Sequence, residues 1–397
     1  MPFSAIICAS QAASDSPDMF RATLHFADQA LIEYQVRQVT EAGASEVMVV
    51  VGAVTQPLSR AVDRLTADGI RVTLVRDMVT LLREAPREGD FLLVADGAVV
   101  PQRFYRTLAA SKDVSLLVVE DGATTAGFER IGPGQRWAGI ARISADVLFG
   151  TLDMIGDWDL ESTLVRAAVQ NNATTVPVPV EEANEGRLAI IRSQAEATLV
   201  TQALLGTGTD NASVPGDAGA ERYVVGPLAA RLAPMLLRSQ VPAVQVGVAA
   251  IAIAAIGTMT ILLHWPMMGL LTLFLALVVG GTAIRLTLLA RRASADRWIW
   301  IVPQAVSVLG IALAARQVGQ GALGLYLAGL VAIATLALRM GRLPNVRPWA
   351  IATPGSAILL LVASAIAGYL DFGYQLAVGV AIVSLGDALI GRRRQKS

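Results

Sequence analysis

Six apolar runs beyond Val241 constrain this chain more than any other feature, at about residues 243–264, 267–289, 298–315, 319–338, 350–370 and 374–391. A run of about 18 apolar residues, rising roughly 1.5 Å per residue, crosses a hydrocarbon layer of roughly 30 Å. The C-terminal part therefore reads as an all-α polytopic membrane domain of six helices over 241–397. The whole chain has a mean hydropathy of +0.55. Hydrophobic residues make up 54%, yet nearly all acidic residues precede Arg222, so the apolar excess is concentrated late. With 397 residues the chain is long enough for two domains, each with its own core.

The loops orient the bundle. Arg291, Arg292 and Arg297 follow the second run, Arg339, Arg342 and Arg347 the fourth, and Arg392, Arg393, Arg394 and Lys396 the sixth. The opposite loops, His264–Pro266, Arg316–Gln320 and Asp371–Gly373, hold Arg316 as their only basic residue. The positive-inside rule then predicts a multi-pass protein of the inner membrane with both termini cytoplasmic. Small residues in the runs, such as Gly280-Gly281, Gly324 with Ala328, and Ser364 with Gly368, allow close helix approach. Arg285 and Asp387 lie about a turn from the cytoplasmic ends of their runs, where each can snorkel to water or the two can pair.

The N-terminal half alternates short β-branched runs with helical ones. Strands are predicted at Ser4–Ala9, Glu46–Val51, Arg71–Val75, Phe91–Ala95, Val114–Val119, Gly139–Ser144 and Thr174–Val180, with helices at about 30–42, 56–67, 101–110 and 159–171. This pattern gives a doubly wound α/β sheet with mixed edges over residues 1–205. Residues 1–20 lack the basic start and long apolar run of a signal peptide, so this domain is expected to stay in the cytosol. Residues 206–220, GTGTDNASVPGDAGA, read as a flexible linker. Residues 221–240 read as an amphipathic helix lying in the membrane interface.

A formal net charge of +0 gives no reason to expect nucleic acid as a partner. The single cysteine, Cys8, excludes an intramolecular disulfide, and with only His25 and His264 the chain lacks the makings of a zinc site. Chemistry here falls to carboxylates, arginines and backbone. In doubly wound sheets ligands bind outside the carboxyl ends of the strands. That points to Ser10–Ala22 after the first strand and to Asp96-Gly97 after the fourth. An Asx-type turn or helix cap would account for Asp96 without chemistry.

Three segments carry a resemblance: LIEYQVRQVTEAGASEVMVVVG (31–52), FLLVADGAVVP (91–101) and WAGIARIS (137–144). With them, residues 3–180 resemble the sugar-nucleotidyltransferase and molybdenum-cofactor guanylyltransferase superfamily, of GT-A-like fold. The resemblance implies a glycine-rich loop for nucleotide phosphates, a following lysine and a metal-binding aspartate. Asp96 matches that aspartate and would hold Mg²⁺, with CTP or another NTP as substrate. Ser10, Gln11 and Gly97 fall where the nucleotide would be bound. The loop, SQAASDSPDMFRA, has no glycine, carries Asp15 and Asp18, and has Arg21 where the lysine aligns.

A domain of this kind joined to six spans resembles the bifunctional cytidylyltransferase and CDP-alcohol phosphatidyltransferase proteins. Their membrane signature is D-G-x-x-A-R followed by G-x-x-x-D-x-x-x-D. Laid on residues 280–285 it keeps Gly281 and Arg285 but puts Gly280 at the first aspartate, and the later positions fall on Ser294, Trp298 and Val302. Without those aspartates a two-cation site cannot form, so phosphatidyl transfer is not expected. Three readings follow. One is a catalytically degenerate scaffold or regulatory subunit for an active transferase of lipid head-group or polyol-phosphate synthesis. Another is an active membrane-anchored nucleotidyltransferase using Asp96 and Arg21, and the third is a lipid or solute carrier. The lipid bilayer is the expected partner in all three, and homo-oligomerisation is compatible with each.

Overall fold

The computed structural model describes residues 3–152, 159–206, 218–238, 241–290, 297–339 and 353–394. The chain divides into two compact units, Met1–Leu204 and Leu205–Ser397, and each is described by itself.

The first unit is built on a sheet of eight strands: β1 Phe3–Ala9, β2 Ala44–Val51, β3 Val72–Val75, β4 Asp90–Val94, β5 Ser115–Glu120, β6 Glu129–Gly132, β7 Gln135–Ser144 and β8 Thr174–Pro177. Their spatial order is β8-β5-β7-β4-β1-β2-β3, with β6 added beside β7. All seven residues of β1 are buried, as a strand covered on both faces must be. It pairs in parallel with β2 and β4, and β2 pairs in parallel with β3.

The reversal of direction is internal, not at an edge as the sequence suggested. Strand β7 runs antiparallel to both β4 and β5. The cause is local: β6 and β7 are joined through Pro133-Gly134, with Gly134 at φ +72°, so the chain turns back as a hairpin without a crossover helix. Helices at Leu31–Glu41, Gln56–Ala67, Gln102–Ala110 and Leu160–Gln170 fall within a residue or so of their predicted places. Additional helices occur at Met78–Glu84, Ala145–Leu152, Val180–Asn184 and Gln194–Gly206. Pairing of Ile7 with Val94 brings the carboxyl ends of β1 and β4 out side by side, so the two loops singled out from the sequence emerge together.

In the second unit, long helices run over Ala243–Leu262, Pro266–Ala290, Arg297–Gln317, Gly321–Arg339, Pro354–Ile366 and Leu370–Arg394. Among the described residues, three segments are long and apolar enough to cross a membrane: Ala243–Leu262, Pro266–Leu288 and Gly321–Leu338. Ile301–Gln317 and Pro354–Ile366 are apolar but shorter. Close approach concentrates at glycines. A Cβ on Gly269 would stand 2.7 Å from Gly257 O, and one on Gly324 would collide with Ala315.

Most of the linker, at 207–217, and the basic loop residues Arg291, Arg292, Arg342, Arg347 and Lys396 lie outside the described residues. The segment read as an interfacial helix is helical, with a π turn at Glu221–Val225 leading into Gly226–Arg238. Ala233 packs with Ala243, Val246, Ala283 and Leu286, whereas Tyr223, Leu228, Leu232 and Met235 are exposed. One face is held by the bundle and the other is free to meet an apolar medium.

Candidate functional site

Asp96 follows β4 directly and is almost wholly buried, at 2% exposure. Its Oδ2 accepts the Gln11 N–H at 2.7 Å, and its own N–H donates to Glu161 Oε2 at 2.9 Å. Its Oδ1 has no hydrogen-bond partner among the described residues. The carboxylate therefore joins two loops and leaves one oxygen unused, which differs from a carboxylate closing its own turn. The turn is fastened from beneath by Gln35, whose Nε2 donates to Ala95 O and Ala98 O, both at 3.0 Å. Gly97 is required there. Its φ is +80°, and a Cβ would stand 2.3 Å from Ile191 O.

The helix Leu160–Gln170 brings Glu161 in its first turn and Asp159 just ahead of it. Strand β6 brings Glu129, which accepts a hydrogen bond from Ser162 Oγ at 3.1 Å. These carboxylates line, with Asp96, Gln11, Arg21, Arg192, Phe128 and Trp137, a cavity of about 440 Å³ at the carboxyl ends of the strands. Burial raises the Asp96 carboxyl to about 7, against the opposing pull of the Gln11 N–H and the Arg21 charge. Burial likewise raises Glu161 to about 8, and Asp96, Asp159 and Glu129 add to the rise by repulsion. Glu129 is raised by burial, and so is the thiol of Cys8, which also feels Glu161 and Asp96. Burial thus favours the protonated forms of Asp96 and Glu161, while the Arg21 charge pulls Asp96 the other way.

The loop after β1 takes a form that its sequence did not announce. Ala12–Ala13 pairs with Ser16–Phe20 as a short hairpin, followed by a 3₁₀ turn at Arg21–Thr23. The Gln11 N–H goes to Asp96, the Ser14 N–H to Arg192 O at 2.8 Å, and the Arg21 N–H to Gln11 O at 3.0 Å. Asp15 Oδ2 accepts the Gln194 N–H at 2.9 Å. A phosphate nest needs free amides; here those of Gln11, Ser14 and Arg21 are engaged elsewhere. Arg21 lines the cavity while its Nε donates to Ala12 O at 3.3 Å.

Of the residues singled out from the sequence, Asp96, Gln11 and Arg21 converge on one cavity. Ser10 is exposed beside them. Gly97 faces Ile191 and is not among the lining residues. Gly281 and Arg285 belong to the second unit, where they line a cavity of about 20 Å³ with Glu221, Gly280, Pro303 and Gln304. That is room for a water molecule or so, not for a nucleotide. Glu221 Oε1 there accepts the Gly355 N–H at 2.7 Å. Asp387 is exposed and does not line this cavity.

Sequence reasoning missed Glu161, Asp159, Glu129, Arg192 and Gln35. The first two had a signal, the run of acids in DWDLE at the start of a predicted helix. Glu129 and Arg192 had none, because they arrive through an antiparallel hairpin and a segment packed over Gly97.

No family model and no curated protein matches the chain. Among solved structures, it is similar to a nucleotidyl transferase from Methanothermobacter thermautotroptrophicus at 19% identity and a TM-score of 0.36, covering 50% of this chain and 96% of that one. It is also similar to a UDP-glucose pyrophosphorylase complexed with UDP-glucose, at 12% identity and a TM-score of 0.33, covering 43% of this chain and 88% of that one. The mixed-sheet architecture stands on the strand order itself.

Proposed function

We propose that this is a multi-pass membrane protein whose α/β unit has the form of a nucleotidyltransferase, no longer cradles a triphosphate, and serves as scaffold or regulatory subunit for an active transferase. The observation that carries this reading is the state of the loop after β1, whose amides at Gln11, Ser14 and Arg21 are bound to Asp96, Arg192 and Gln11. Opening the loop to phosphate would break these contacts and bring Asp15 and Asp18 toward a polyanion.

In this reading the second unit crosses the inner membrane six times with both termini in the cytoplasm. Three helices of sufficient length and apolarity support it, as do exposed apolar side chains such as Leu325, Tyr326, Ile366, Tyr369 and Val383. The replacement of the family's membrane aspartates by Gly280, Trp298 and Val302 supports the loss of phosphatidyl transfer. Purification of the tagged chain from its native membrane in mild detergent tests the reading. A stoichiometric, active transferase of lipid head-group or polyol-phosphate synthesis should accompany it, and its reproducible absence would count against the scaffold role.

One observation favours an active nucleotidyltransferase instead: Asp96, with a carboxylate oxygen to spare, and Arg21 line the same cavity. Mg²⁺ is ordinarily held by one or two carboxylates together with substrate phosphates, and Asp96 could supply one ligand while Arg21 steadied a phosphate. The residues fit the ion only to that extent. Among the described residues no group of three or more His, Cys, Asp or Glu stands ready for a metal.

A further inference from the structure

We propose that the cavity at the carboxyl ends of β1 and β4 binds a small organic ammonium ion, with Asp96 as its anchor and Glu161 and Asp159 as the surrounding acceptors. The proposal rests on the reading above, in which the adjoining loop no longer holds a triphosphate.

Four carboxylates, Asp96, Glu129, Asp159 and Glu161, line the cavity against two guanidinium groups, Arg21 and Arg192. Both arginines are engaged on main-chain carbonyls, Arg21 on Ala12 O at 3.3 Å and Arg192 on Gly127 O at 2.5 Å. Once these carboxyls are deprotonated, four negative charges against two positive ones favour a cationic ligand over a polyphosphate. A buried carboxylate oxygen without a partner is costly, and a donor arriving in the cavity would relieve it. Asp96 Oδ1 is such an atom.

Size and wall chemistry separate an organic cation from a metal ion. A volume of about 440 Å³ falls within the roughly 300–1,000 Å³ range of small-molecule sites and far exceeds one ion. No group of three or more metal-ligating side chains forms among the described residues. Phe128 and Trp137 are also lining residues, and aromatic walls beside carboxylates suit an alkylammonium. The Trp137 Nε1–H is engaged on Ile140 O at 2.8 Å, which fixes the ring. An ammonium donates to as many as three acceptors, a number that Asp96, Glu161 and Asp159 can supply.

Binding should displace protons from the carboxyls, so affinity should rise with pH. The charged and titratable groups around Asp96 and Glu161 are Cys8 on β1, Arg21 on the loop, Glu129 on β6, Asp159 and Arg166 about the helix, and Arg192 across the cavity.

The test is a calorimetric titration of the full chain in mild detergent with ethanolamine, putrescine and glucosamine, each beside its neutral match: ethylene glycol, butanediol and glucose. At least one amine should bind saturably, its match roughly tenfold or more weaker, and affinity should climb between about pH 6 and pH 8.5. Asp96→Asn and Glu161→Gln should each weaken the amine by roughly tenfold or more. Glu129→Gln, at a half-buried position, should weaken it less and serves if the first two fail to fold. Failure of all three amines to bind at high pH, equal binding of the neutral matches, or saturable Mg²⁺ binding without amine binding would overturn the proposal. Tight binding of a nucleoside triphosphate would instead overturn the reading beneath it.

Discussion

Asp96 and Glu221 are both buried carboxylates, at 2% and 6% exposure, one in each unit. Glu221 is engaged at the amino end of the Pro354–Ile366 helix, where Oε1 takes the Gly355 N–H and the helix dipole favours its charge. The cavity beside it is about 20 Å³. Asp96 also takes a main-chain N–H, but it borders a cavity of about 440 Å³ shared with three more carboxylates. A carboxylate serving structure sits where the fold has donors for it. A carboxylate held among other acids at the edge of an open cavity works against stability, which is the mark of a binding position.

The harshest challenge to that contrast is Gly97→Ala. The added Cβ would meet Ile191 O at a backbone conformation disfavoured for any side chain. A loss of about 3 kcal/mol or more is expected in urea denaturation of the α/β unit, or a failure to fold. A loss below about 1 kcal/mol would show that the floor of the cavity is soft.

Asp96→Asn and Glu161→Gln should have the opposite sign. Each carboxyl is raised in the folded protein, from 3.8 to about 7 for Asp96 and from 4.5 to about 8 for Glu161. A raised carboxyl keeps its proton in the native state after the unfolded chain has lost it. Stability therefore falls as pH climbs from about 4 to about 8 and stays reduced above that. Either substitution should leave stability nearly unchanged near pH 4 and raise it at about pH 8.5, by an amount on the order of a few kcal/mol. Melting curves at the two pH values check this. A destabilising effect at high pH would mean that these carboxylates are structural, as Glu221 is.

Glu221→Leu should destabilise the helical unit by roughly 1.5–3 kcal/mol, because the buried Gly355 N–H loses a charged acceptor. Detergent-solubilised thermal melting would show it, and Glu221→Gln should recover part of the loss. Arg21→Ala should change stability by only about 0.5 kcal/mol, since it makes a single long contact to Ala12 O. Its visible effect should be tighter binding of amines, measured by the same calorimetry.

The strands were legible because apolar runs such as FSAIICA, buried throughout, and VMVVV, the buried end of ASEVMVVV, belong to a central sheet. The long helices were legible because apolar length declares itself without tertiary information. The internal antiparallel strand was not, since strand order depends on pairings such as Ile140 with Val94 between residues far apart in the chain. Asp96, Gln11 and Arg21 were found from their place after strands. Glu161 was not, because only the fold brings it within 2.9 Å of the Asp96 N–H, from a helix 65 residues away. The closed state of the Ser10–Ala22 loop was hinted at by its missing glycines, but the partner of Ser14, Arg192 O, lies 178 residues on.

The most direct measurement is equilibrium titration of the full chain in mild detergent with ATP, CTP, GTP and UTP, each with Mg²⁺ or Mn²⁺. A loop whose Gln11, Ser14 and Arg21 amides are engaged elsewhere predicts no saturable binding tighter than about 1 mM. Binding of any of them at about 10 μM or tighter, abolished by Asp96→Ala, would contradict the account and make the chain a working nucleotidyltransferase.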